Sequence, residues 1–338
     1  MRAVDSAARP ALSILSAVHD TEAYLAEMID SVVEQTVGDW ELVVVDNGMS
    51  DEVVRIVEKY ADDERIRLVR QEFQSPAGGI NAAAAAARGA YYAVLPGDGR
   101  LKPTFCERVA KVLAEHPEID VLCVDALPFL DGEDQPPTFR QRCGITAEPG
   151  VEHRVPLVEV LRGAALYTTA AIRASVWESA DGWAADTPLV ESLELCLRML
   201  AAGRDLRVLP EPLGQYRLHP DNPDHEPADW DEYDDSVERT FARVGTLTDD
   251  PEVLAHLRTT LRNLRYEKAL RRSREAMRRS DSKTARQQAR AALRQRPSVR
   301  PAVMWAVLRV APGGTRSLKS AKARITGLVR SLAGRAAQ

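Results

Sequence analysis

Cysteine is scarce in this 338-residue chain: Cys106, Cys123, Cys143 and Cys196 are the only four. None is spaced Cys-x-x-Cys, and four are too few to staple a chain of this length. They read as small buried hydrophobes in a reducing compartment. Long apolar runs are also missing. No stretch reaches the roughly 18 uncharged apolar residues that a spanning helix needs. The first ten residues carry Arg2, Asp5 and Arg9 without the apolar segment of a secretion signal. These absences predict a cytoplasmic protein, or one lying peripherally on the inner face of a membrane. Two glycine signatures are absent as well. No Gly-x-Gly-x-x-Gly follows the first predicted strand, and no Gly-x-x-x-x-Gly-Lys-Ser/Thr occurs anywhere, which weighs against dinucleotide and P-loop chemistry.

What the chain does have is 45% hydrophobic residues, enough for a folded interior over most of its length. Its net charge of -5 conceals a division. Residues 251–338 hold 22 Lys and Arg against 4 Asp and Glu, a net of +18; the totals of 45 and 50 leave 23 against 46 in residues 1–250, a net of -23. The basic part should attract the acidic one or meet an anionic surface.

Periodicity predicts an α/β domain. Leu12–Val18 is a short apolar run, and Glu22–Glu34 places Leu25, Met28, Ile29, Val32 and Val33 at helical spacing. Glu41–Val45 is β-branched and continuous, as a central strand requires. Asp51–Tyr60 returns a helical stripe, Ile66–Val69 a third strand, and the alanines of Asn81–Arg88 a helix capped by Gly89. Tyr91–Leu95 is a fourth strand ending in the turn Pro96-Gly97-Asp98-Gly99. This alternation is the repeat of a mostly parallel, Rossmann-like sheet flanked by helices. Pro103–Glu115 then reads as helix, Asp120–Ala126 as strand, 128–156 as loop with one hairpin, and Ala164–Thr169 as a β-rich piece. Leu189–Ala202 is an amphipathic helix stopped by Gly203. Leu206–Leu209 is a last strand, followed by a Pro-rich loop to Trp230. Beyond Pro251 the pattern is helical, including a short apolar helix at Trp305 and a final stripe from Leu318 to Leu332.

Ligands of an open parallel sheet bind outside the carboxyl ends of its strands. There the sequence delivers His19 and Asp20, then Asp46 and Asn47, Gln71 and Glu72, and Asp98. Asp46 before Asn47-Gly48 suits a base or ribose contact, or an Asx turn capping the next helix. Asp98 between two glycines suits a divalent ion on a diphosphate, or a solvated turn. Glu191 and Asp186 are of the type a general base requires, although acids also favour helix N-termini. His219, beside Arg217, suits a metal or a phosphate, or a surface role.

Taken in order, Leu12–Thr36, Asp39–Asp51, Asn81–Gly99, Glu191–Gly203 and Leu209–His219 resemble the landmarks of the large inverting GT-A glycosyltransferase family, family 2. The resemblance spans about residues 10–220. It implies a nucleotide-sugar donor, commonly UDP-linked, with Mg²⁺ or Mn²⁺ on its diphosphate. By position it places Ala17, Val18, His19, Asp20, Asp46, Asn47, Asn81, Gly97 and Arg217 at the nucleotide, and Asp98 and His219 at the metal. Glu191, with Asp186 or Asp181, becomes the catalytic base. It also divides the chain into a tail at 1–10, a nucleotide-sugar half at 11–127, an acceptor-side half at 128–235 and a basic helical region at 236–338. The sequence departs from the family pattern where Pro96 replaces the earlier acid of Asp-x-Asp, Ile80 an arginine, and Ser192 the usual catalytic acid.

The resemblance implies sugar transfer to a glycan, lipid-linked or small-molecule acceptor. The alternative is a catalytically reduced relative that binds nucleotide or glycan, or scaffolds a partner. A nucleotidyltransferase would want a glycine-rich, basic loop after the first strand, which His19–Tyr24 lacks. The basic region has neither zinc spacing nor interleaved aromatics, which weighs against nucleic acid. Packing on the acidic domain or lying on an anionic membrane explains it better.

Overall fold

The computed structural model describes residues 9–144, 150–162, 169–219 and 229–310. The chain divides after Leu254 into two compact units. The first is built on one nine-stranded sheet among the described residues. Its opening half is β1 (Leu12–Val18), α1 (Glu22–Val33), β2 (Trp40–Asn47), α2 (Asp51–Val57), β3 (Ile66–Gln71), α3 (Pro76–Ala86) and β4 (Tyr91–Val94). These strands lie in the order β3-β2-β1-β4, all parallel. Because β2 is flanked by two strands and covered on both faces, its eight residues are all buried, which is why its sequence runs apolar without alternation. Leu25, Met28, Ile29 and Val32 of α1 close one face.

The second half of the sheet is β5 (Arg100–Leu101), α4 (Phe105–Glu115), β6 (Val121–Leu130), β7 (Glu133–Asp134), α5 (Phe139–Arg142), α6 (Leu157–Leu161), β8 (Ala170–Arg173), α7 (Ala174–Ser179), α8 (Glu191–Ala201) and β9 (Leu206–Arg217). The sheet continues β4-β8-β6-β9-β5, with β8 antiparallel to both neighbours and β9 parallel to β6. An α/β architecture with a mostly parallel first half is therefore present as expected. An α9 helix (Trp230–Val244) completes the unit.

Several local expectations need correction. The alanine helix starts at Pro76, not Asn81, because Ser75 caps it by accepting from Gly78 N–H at 3.2 Å and Pro76 takes its first turn. Gly79 then permits close packing on β1, since a Cβ there would stand 2.7 Å from Ala17 Cβ. Gly89 is no cap; it donates its N–H to Ser13 Oγ at 2.8 Å. The last strand runs to Arg217, through Pro210 and Pro212, because irregularities in its register with β6 absorb the missing donors. Helix α9 occupies residues where a loop gives way to the basic region, and α7 carries no length by which periodicity could reveal it. The β-rich piece at 164–169 and the stripe at 318–332 fall largely or wholly outside the described residues.

The second unit contains most of α10 (Pro251–Arg278), then α11 (Ser282–Gln295) and α12 (Val299–Val310). Ala285, Ala289 and Ala292 of α11 pack with Tyr266, Leu270, Met304 and Leu308. Small side chains on this face let the helices approach closely. No described helix is long and apolar enough to cross a membrane.

Candidate active site

The carboxyl edge of β1-β2-β4 gathers the polar residues expected there. Val18 is buried at the end of β1, and His19 and Asp20 follow it exposed, with His19 Nδ1 3.2 Å from Asp20 Oδ2. The His19 ring lies 4.3 Å from that of Phe73, which is 57% exposed and so offers a free aromatic face at this edge. Gly48 backs the imidazole; a Cβ there would be 3.2 Å from His19 Cδ2.

Asp46 is fully buried and accepts at 2.9 Å from both Ser50 N–H and Arg70 Nε. Its carboxylate thereby shapes the turn that follows β2. Asn47 is similarly engaged, accepting from Gln71 Nε2 at 2.7 Å and Gln74 N–H at 3.1 Å while donating to Gln74 O at 3.0 Å. The loop after β3 is thus tied to the end of β2, and Phe73 is held beside His19.

The β4–β5 turn is closed by Gly99 N–H donating to Pro96 O at 2.9 Å. Gly97 packs against Thr21, whose Oγ1 would lie 2.5 Å from a Cβ at that position. Asp98 Oδ2 meets His219 Nε2 at 2.9 Å, just beyond the end of β9. Arg217 Nε donates to Asp98 O at 3.3 Å, and its guanidinium stacks between Tyr24 and Phe129 at 4.2 and 4.5 Å. Glu27 bonds both Arg217 and Arg100, the latter at 2.8 Å. With its side chain only 11% exposed, Arg217 is a fixed, charge-matched support of the turn.

Glu191 is the first residue of α8 and is buried. Burial pushes its carboxyl above the ordinary range; backbone hydrogen bonds offset this in part, and Glu232 adds to it. A raised carboxyl suits a base that must hold a proton after taking it. Asp186 is different. Arg243 donates to both its oxygens, at 2.8 and 2.6 Å, and holds its carboxyl below the usual value. Asp181 is exposed, in the left-handed region at φ 57°. It opens on a cleft of about 360 Å³ between α3 and α7, with Tyr92, Trp177 and Glu178. Asn81 spans to this loop, donating to Trp183 O and accepting from Trp183 N–H, both at 2.9 Å.

The structure thus unites Asp98 with His219, and His19 with Gly48 and Phe73, while Asp181 and Asp186 occupy separate surroundings. Among the described residues no three His, Cys, Asp or Glu side chains converge as a metal cluster. Asp98 and His219 are a two-donor pair, which fits Mg²⁺ or Mn²⁺ only where a ligand's diphosphate supplies further oxygens. Sequence reasoning missed Tyr24 and Glu27, although their spacing of three on α1 put them on one helical face. It also missed Arg198 and Arg243, whose shared partner Glu194 is 1% exposed and looks in sequence like any helix-surface acid.

Comparison with known proteins finds relatives over the first half of the chain and solved structures of like fold. The profile of Glycosyl transferase family 2 matches residues 13–148. The putative glycosyltransferase EpsH of Bacillus subtilis (strain 168) is 32% identical over 123 residues, which cover 36% of each chain. The chondroitin synthase of Escherichia coli is 30% identical over 99 residues, 29% of this chain and 14% of the other. This chain therefore matches well under half the length of these relatives. Among solved structures, S. aureus TarS 1–349 in complex with UDP shares 17% identity at a TM-score of 0.59, covering 88% of this chain and 87% of that one. The mannosyltransferase PcManGT of Pyrobaculum calidifontis, in complex with GDP-Man and Mn²⁺, shares 16% at a TM-score of 0.53, covering 96% and 88%. These likenesses establish the fold, GT-A, and residues 13–148 resemble glycosyl transferase family 2.

Proposed function

We propose that this chain is a glycosyltransferase that moves a sugar from a UDP-linked donor to the hydroxyl of a glycan, lipid-linked or small-molecule acceptor, with inversion. The observation that carries the reading is the Asp98–His219 pair, set at the sheet edge where a diphosphate would lie. The base would rest on His19 and Phe73, with Asp46 and Asn47 bracing the wall behind them. The complexes of TarS with UDP and UDP-GlcNAc support a donor of this class.

In the reaction the acceptor oxygen attacks the anomeric carbon as the bond from that carbon to the diphosphate oxygen breaks on the opposite face. Glu191, raised by burial, takes the hydroxyl proton in place of the acid that Ser192 lacks. Asp98 and His219 would hold Mg²⁺ or Mn²⁺, which supplies positive charge to the departing diphosphate. Arg217 and Glu27 keep the Asp98 turn in place.

Ser192 and Pro96 favour a second reading, a nucleotide- or glycan-binding relative without turnover. A nucleotide-sugar panel read by thermal shift with Mn²⁺, followed by transfer assays, separates the two. A shift with one donor and turnover that falls in Glu191→Gln supports transfer; equal, vanishing rates in wild type, Glu191→Gln and Asp98→Ala support the relative. An anionic membrane is a further partner of the basic region, consistent with a lipid-linked acceptor.

A further inference from the structure

The second unit has a feature that sugar transfer does not require. Between α11 and α12 lies a cleft of about 400 Å³, lined by Lys283, Arg286, Arg290, Arg294, Gln287 and Trp305. Arg286, Arg290 and Arg294 recur every four residues, so they form one row about 12 Å long on α11. All three are exposed and, among the described residues, none is in an ion pair. Like charges at this spacing oppose helix formation. The opposite face of α11 is the buried row Ala285, Ala289 and Ala292, so packing fixes which way the arginines point. Residues 255–310 hold 16 Lys and Arg against Glu267, Glu275 and Asp281. Glu275 is bound to Arg279, and Asp281 caps α11 through Thr284 N–H at 3.0 Å. Among the described residues none of these three acids is paired with the row.

We propose that this cleft seats the phosphates of anionic phospholipid headgroups, docking the second unit on a bilayer surface. A guanidinium row suits phosphate oxygens, which it can bond in bidentate fashion. The half-buried indole of Trp305, with Arg309 5.4 Å from its ring centroid, is the side chain that favours the interfacial zone beside them. A nucleic acid would want several aromatics for its bases, and the cleft has one. This inference extends the membrane partner named above and does not depend on the chain being a transferase.

The test is flotation of the full chain with vesicles of equimolar phosphatidylglycerol and phosphatidylcholine, against vesicles of phosphatidylcholine alone. Binding is expected to the anionic vesicles only. Arg286→Gln/Arg290→Gln/Arg294→Gln should lower partitioning on the order of 100-fold, given that each cation near such a surface contributes about fivefold. The matched control Arg258→Gln/Arg262→Gln/Arg278→Gln removes the same charge from exposed positions on α10, and should lower it far less. Circular dichroism and UDP titration on each variant report folding and the first unit separately, so loss of vesicle binding leaves the sugar-transfer reading standing, and the reverse. Equal losses from the two triple variants would reduce the effect to net charge and overturn the proposal. So would absence of vesicle binding, displacement by inorganic pyrophosphate at concentrations below the lipid phosphate, or tighter binding to single-stranded DNA at equal salt.

Discussion

Asp98 and His219 lie 121 positions apart in the chain and meet through Oδ2 and Nε2 at 2.9 Å. One stands on the turn after β4, the other just past β9, so the contact joins the two halves of the sheet at the proposed diphosphate site. Together the two side chains offer a metal one carboxylate and one imidazole nitrogen, well short of a full coordination shell. We therefore expect weak Mn²⁺ affinity in the bare protein and much tighter binding once UDP is present. Asp98→Asn and His219→Ala should each weaken Mn²⁺-dependent UDP binding by about 10- to 100-fold, and leave metal-free UDP binding nearly unchanged. Isothermal titration with and without chelator measures both; tight Mn²⁺ binding without nucleotide would refute the two-donor site.

Glu191 gives a prediction with two independent signs. As the base it must be ionised, so transfer should rise with pH through its raised titration range, and Glu191→Gln should lose about 10²- to 10⁴-fold in rate with little change in donor affinity. Stability moves the other way. A carboxyl raised by folding contributes most below its unfolded titration range, and that contribution is lost as pH rises through the folded one. Glu191→Gln should therefore be less sensitive to pH than wild type over this window and more stable above it. A variant that kept its rate, or that was destabilised at neutral pH, would remove Glu191 from the role.

How much of this was legible in the sequence follows from what local patterns encode. The run ELVVV announces a central strand because burial on both faces removes every reason for polar alternation, and His19, Asp46 and Asp98 then follow from the strand ends. The start of α3 was misplaced because Gly78 and Gly79 look like helix breakers, although Gly79 is needed for the approach to Ala17. The end of β9 was misplaced because two prolines hide a strand whose irregular pairing tolerates them. Longer-range facts had no local signal at all. Nothing near Asp186 in the sequence announces Arg243, 57 residues away, and the engagement of Asn81 with Trp183 depends on a loop 102 residues distant.

That loop makes a backbone prediction. Gly182 has φ 61°, and a Cβ there would press on Asn81 Oδ1 and stand 3.0 Å from Trp177 Nε1. Gly182→Ala thus combines an unfavourable backbone conformation with a clash against the amide that holds Trp183. A loss of about 1–3 kcal/mol is expected, seen as a lower midpoint in urea. Asn81→Ala removes the two bonds to Trp183 without the clash, so its loss should be smaller, and the double variant should lose less than the sum because both act on one contact. Full additivity would mean the two positions are uncoupled.

Arg243 offers the sharpest contrast in stability. It bridges Glu194, whose side chain is 1% exposed, at 2.7 Å, and Asp186, whose side chain is 59% exposed, at 2.6 Å. The first pair is shielded from solvent and the second is screened by it, so their worth should differ. Asp186→Asn is expected to cost under about 1 kcal/mol. Its effect should vanish as pH falls, because the carboxyl is held low by Arg243 and its stabilisation is present above the unfolded carboxylate range and lost below the folded one. Arg243→Gln leaves buried Glu194 with Arg198 as its remaining guanidinium, and should cost about 2–3 kcal/mol. For a unit of this size that is a fall of several degrees, on the order of 4–10 °C in the thermal midpoint. Adding Glu194→Gln to Arg243→Gln should restore part of the loss, since it removes the stranded charge. Thermal unfolding of wild type and the three variants at two pH values checks the ranking, and equal costs for Asp186→Asn and Arg243→Gln would show that Glu194 does not depend on this arginine.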